Sequence, residues 1–144
     1  MTGVQTCALP IYALQKANHL AITNLWGDGL PLWPATKERL NRILRGTPLP
    51  RTHVVGKFPP RGGITTVETC AVSLAMAGGR PEYLPVLIAA VEAFLHPETN
   101  AEQLQAASGS AYPVVVVNGP IAKQIRLNSG FGCFGPDQIG RAHV

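Results

Sequence analysis

The chain has 144 residues, a formal net charge of +4, and a composition that is 46% hydrophobic and 14% charged. That length suits one domain, and a charged fraction well below the roughly 25% of an average soluble domain excludes a disordered tail, a charged arm or a coiled coil. Fifteen Gly and thirteen Pro make it rich in turns, without the period of three that marks collagen.

The two ends stand apart from what lies between them. Residues 5–11 (QTCALPI) can be encoded by CAGACGTGTGCTCTTCCGATC. With the T that opens the Tyr12 codon, the opposite strand of that DNA, preceded by one C, encodes residues 138–144 (QIGRAHV). Such DNA resembles a common sequencing adapter. Residues 1–11 and 138–144 are therefore expected to be translated adapter and fall outside any fold argument. Residues 12–137 are then expected to be an α/β domain fragment cut from a longer gene. On that expectation Cys7, Arg141 and His143 carry no functional weight.

Residues 12–22 read as a short helix. Residues 26–34 (WGDGLPLWP) are turn-rich. Thr36 is placed to cap a helix over 37–45, with Leu40, Ile43 and Leu44 on one side. Gly46, Pro48 and Pro50 end it, and residues 53–56 read as a short strand. Pro59, Pro60, Arg61, Gly62 and Gly63 make a rigid entry with two permissive glycines, and Thr65 or Thr66 can cap the next helix. Val67, Cys70, Ala71, Leu74 and Ala77 fall at helical spacing. Gly78 and Gly79 stop that helix, and Pro81 suits the first turn of another. Residues 82–95 are apolar nearly all round, the pattern of a central buried helix. Residues 101–107 and 121–125 read as short helical turns. Val114 to Val117 form a continuous β-branched run, expected to be a strand buried on both faces as in a parallel sheet. Residues 127–136 make a glycine-rich loop. The expected fold is a small α/β domain with two central helices and at least one buried, parallel strand.

Asp28–Pro31 with Thr36, Pro59–Gly63, Thr66–Glu68, Ala75–Gly78, Pro81–Val86, Asn118–Ile121, and Asn128–Gly130 through Gly135 and Pro136 are jointly specific. In these stretches, spread over most of residues 26–136, the chain resembles uncharacterised bacterial proteins of the UGSC-like group. That group is named for selenocysteine or cysteine followed by Gly-Ser-Cys. The resemblance implies a piece of a redox-type or otherwise unassigned enzyme. The Gly-Ser-Cys motif itself is absent from this sequence, and with it the residues of a thiol or selenol mechanism.

From the residues themselves, the first candidate site is Arg61, Gly62, Gly63, Thr65 and Thr66. Glycines opening a helix leave free backbone N–H groups where the dipole favours an anion. Arg61 could grip a carboxylate or phosphate as a fork. Its spacing is neither a Walker loop nor a dinucleotide fingerprint. Glu68, in the first turn, could act as a general acid or base; the plainer reading is a dipole-favoured surface carboxylate. Cys70 shares the apolar face and reads as core.

The second candidate joins Asn118, Gly119 and Pro120 to the loop of Asn128, Ser129 and Cys133. Ligands sit beyond the carboxyl ends of α/β strands, and Ser129 or Cys133 could act chemically with a base nearby. The expected ligand is a small anionic molecule. The competing reading is a non-catalytic module that docks on a missing part of its own full-length chain. Which cofactor, if any, the chain uses is left open by these residues. The scattered His19, His53 and His96 lack metal-ligand spacing. The basic residues between Lys37 and Arg61 read as a solvated face, so no nucleic-acid partner is expected. The longest apolar run is too short to span a bilayer, so no membrane partner is expected. The two cysteines outside the end segments, Cys70 and Cys133, form no disulfide framework and point to the cytoplasm.

Overall fold

The computed structural model describes residues 5–26, 29–109 and 113–128. The chain divides into two compact units, Met1–Pro113 and Val114–Val144. The described residues form a mixed helix and strand architecture, with six α-helices and a two-stranded antiparallel sheet.

The first unit carries α1 (Gln5–Thr23), α2 (Lys37–Leu44), β1 (Val54–Phe58), β2 (Gly63–Thr66), α3 (Val67–Met76), α4 (Leu84–Phe94) and α5 (Ala101–Ala106). Single 3-10 turns, Pro81–Tyr83 and Pro97–Thr99, precede α4 and α5. α2 begins where Thr36 accepts a hydrogen bond from the Arg39 amide at 3.3 Å, an N-cap that satisfies one of the donors a helix start leaves open. α3 ends at glycines. Gly78 adopts φ +74°, a left-handed conformation that costs glycine little, and the Gly79 amide returns to the Leu74 carbonyl at 2.8 Å.

The core lies around α3. Val67, Cys70, Ala71 and Ala75 are buried with Ile43 of α2 and Leu84 and Ile88 of α4. Burying a Val, Leu or Ile side chain completely is worth about 1.5–3 kcal/mol. Three such side chains, Ile43, Val67 and Leu84, are almost wholly enclosed. α3 is the element at the centre of this core, with α2 and α4 packed against it. α4 is less enclosed than its all-round apolar sequence predicts. Leu84 and Ile88 are buried, Leu87 and Val91 pack beside them, and Ala89 and Ala93 face solvent.

β1 and β2 form a hairpin in which Phe58 pairs with Gly63 and Lys57 with Ile64, with an irregularity between Val54 and Gly56. The Gly62 amide closes the turn on the Phe58 carbonyl at 2.8 Å, with Gly62 at φ +71°. The strand expected at residues 53–56 is therefore present, and its partner is the stretch just before α3.

The buried parallel strand is not supported. Residues 113–118 form neither helix nor strand. Val114, Val115 and Val116 are 74%, 57% and 79% exposed. Their amides and carbonyls make no hydrogen bond among the described residues. β-branched side chains favour strand-like backbone but do not supply a neighbour to pair with, and the only sheet among the described residues is antiparallel. The described part of this second unit continues with α6 (Pro120–Gln124), entered through Gly119 at φ +81°.

Candidate functional site

The glycines of the first candidate do not open a helix. Gly62 lies in the hairpin turn and Gly63 begins β2, so a strand separates them from the start of α3. Thr66, rather than Thr65, is the N-cap. Its hydroxyl accepts from the Thr69 amide at 3.3 Å, and the Thr69 hydroxyl accepts from the Thr66 amide at 2.8 Å. This is a reciprocal capping box. The Val67 amide donates to His53 O and the Glu68 amide to Arg51 O, both at 3.0 Å. All the donors a helix start normally leaves open are thus spent within the chain.

Glu68 is also engaged. Arg51 Nε donates to Oε2 at 3.2 Å and a terminal guanidinium nitrogen donates to Oε1 at 2.8 Å. Such a two-point fork occupies both carboxylate oxygens of the residue expected to move a proton. Arg61 is exposed at the hairpin, and its side chain has no hydrogen bond or ion pair among the described residues. Of the side chains in the first candidate set, those of Arg61 and Thr65 take no part in capping.

Asn118 and Asn128 belong to the second unit and flank α6; Asn118 is exposed and Asn128 half-buried. Without a strand at 114–117, the reason for placing a ligand beside Asn118 falls away. Ser129 and Cys133 lie outside the described residues. Cys70 is a buried free thiol in the core. Burial pushes its pKa above the ordinary 9.0, opposite to the lowering that activates a nucleophilic cysteine. Among the described residues no three His, Cys, Asp or Glu side chains group as metal ligands would. No helix there is long and apolar enough to cross a membrane.

A different constellation lies along α2. An open groove of about 460 Å³ is bounded by Trp33, Thr36, Glu38, Arg39, Arg42 and Arg45. Glu38, Arg42 and Arg45 are spaced i, i+4, i+7, which stacks them on one helix face, while Ile43 turns into the core. Arg39 lies over the Trp33 ring, 4.9 Å from its centroid, and its Nε donates to the Ala75 carbonyl at 3.2 Å. The carbonyl end of α3 carries partial negative charge that favours this cation.

Trp33 is itself held. Its amide donates to Met76 O at 2.9 Å, and Gly78 closely approaches the ring. On its other side, Asn18 of α1 takes both backbone groups of Leu32. Oδ1 accepts from the Leu32 amide at 2.7 Å and Nδ2 donates to the Leu32 carbonyl at 3.0 Å. In sequence this basic stretch reads as a solvated face. The spacing of Glu38, Arg42 and Arg45 was visible in it, but the approach of Trp33 and the end of α3 was not.

Compared with protein families, curated proteins and solved structures, the chain matches none.

Proposed function

We propose that this chain is a segment of a bacterial protein of the UGSC-like kind and serves there as a cytoplasmic interaction module, docking on another part of its own polypeptide. The observation that supports this reading is the exposed run Val114, Val115 and Val116, with its unpaired backbone groups. Unpaired strand-forming chain is a template for a further strand, and covering each valine fully would contribute about 1.5–3 kcal/mol. The free thiol of Cys70 agrees with a reducing compartment.

The test begins at the source locus, read outward from the codons of Trp26 and Pro136. The continuing polypeptide is then produced as a separate chain. The two pieces are expected to co-purify, and Val114→Lys with Val116→Lys is expected to abolish this while leaving the circular dichroism spectrum unchanged. Pieces that ignore one another, or that associate equally with the variant, overturn the reading.

A second reading keeps a small anionic ligand at the hairpin, supported by the exposed, unpaired Arg61 guanidinium. Here Arg61→Ala removes binding without unfolding the chain. Equal binding by both forms counts against it.

A further inference from the structure

We infer that the groove along α2 binds a phosphoryl-bearing small molecule, with the phosphoryl group on Arg42 and Arg45 and the rest of the molecule against Trp33. The first argument is charge. Three guanidinium groups face one carboxylate in the groove. The excess matches a phosphate ester, which carries about −1.5 to −2 at neutral pH. Glu38 stands four residues before Arg42, the spacing at which helical ion pairs close. Yet neither Arg42 nor Arg45 makes a hydrogen bond or ion pair through its side chain among the described residues. Like charges three residues apart disfavour a helix, so the pair is mildly unfavourable until an anion neutralises it.

The second argument is preorganisation. Arg39 is fixed by the Trp33 ring and the Ala75 carbonyl, and Trp33 by Met76 O and Gly78. One wall of the groove is therefore set before a ligand arrives, which lowers the ordering cost of binding. Guanidinium forks match phosphoryl oxygens in pairs. A volume of about 460 Å³ lies within the usual range for small-molecule sites, roughly 300–1,000 Å³, and leaves room for more than a bare ion.

The test uses the 144-residue chain carrying Trp26→Phe, so that fluorescence reports on Trp33. Phenyl phosphate, pyrophosphate, benzoate and a single-stranded RNA oligonucleotide are titrated in turn. Phenyl phosphate and pyrophosphate are expected to give saturable changes, with benzoate at least tenfold weaker. Arg42→Ala with Arg45→Ala, both exposed positions, is expected to weaken phenyl phosphate at least tenfold at unchanged melting temperature. Arg42→Lys with Arg45→Lys, which keeps the charge and loses the forks, is expected to fall between. Lys16→Ala, an exposed position on α1 outside the groove lining, is expected to bind as the parent does. No saturation, equal affinity in the double alanine variant, or loss of binding in Lys16→Ala overturns the inference. So does tighter binding of the oligonucleotide than of phenyl phosphate, which would make the groove a nucleic-acid contact.

Discussion

Arg51 grips both carboxylate oxygens of Glu68, at 3.2 and 2.8 Å, and thereby ties the turn before β1 to the first turn of α3. The side chains are 49% and 40% exposed, so water screens the pair and its worth is about 0.2–1 kcal/mol. Arg51→Ala and Glu68→Gln are each expected to lower stability within that range. Urea unfolding of both single variants and the double variant measures the coupling, which should shrink in 1 M salt. A coupling near zero at low salt would make the fork an incidental surface contact.

Thr66 is the residue on which the start of α3 depends. Thr66→Val keeps the shape and removes the oxygen that accepts from the Thr69 amide. The expected loss is about 1 kcal/mol, read as a lower melting temperature, with Thr66→Ser recovering most of it. A Thr66→Val protein as stable as the parent would show that the backbone bonds to His53 and Arg51 suffice.

Cys70 predicts a dependence on pH. Burial raises the folded-state pKa of its thiol above the ordinary 9.0. The unfolded chain then gives up this proton at lower pH than the folded chain does. The stability contributed by the neutral buried thiol is fully present below the ordinary value of 9.0 and is lost as pH climbs through the folded pKa. In a background with Cys7→Ser and Cys133→Ser, stability between pH 8 and 10 should fall more steeply than in the same chain with Cys70→Ala. Thiol reagents at pH 8 should label Cys70 only as the chain unfolds.

Asn18 predicts an effect at a distance. Its amide pairs with both backbone groups of Leu32, the neighbour of Trp33. Asn18→Ala removes both bonds to Leu32 and the bond from Nδ2 to the Leu14 carbonyl, each worth about 0.5–1.5 kcal/mol. Increased acrylamide quenching of Trp33 should accompany the loss of stability, in the Trp26→Phe background. Unchanged quenching would mean that Met76 and Gly78 fix the ring without help.

Local signals in the sequence carried the helices well. The α2 helix runs from Lys37 behind its Thr36 cap, and α3 stops at Gly78 and Gly79, because caps, glycine stops and apolar spacing act within a few residues. What failed depended on partners. Gly63 to Thr66 read as the approach to a helix because its pairing with β1 is a tertiary fact. Val114 to Val117 read as a buried strand because β-branching reports backbone preference and not burial. The engagement of Glu68 by Arg51 spans seventeen residues, and the contact of Arg39 with Ala75 spans thirty-six. No periodicity announces either.

Ala71 and Ala75 are fully buried one helical turn apart on α3, in the core shared with α2 and α4. Their methyl groups leave little volume to fill, and added methylenes there cost about 1–3 kcal/mol. A map of tolerated substitutions along this chain should therefore invert the usual hydrophobic rule at these two positions. Serine or glycine would be accepted more readily than leucine or phenylalanine, so bulk rather than polarity would limit sequence drift at the core of the first unit.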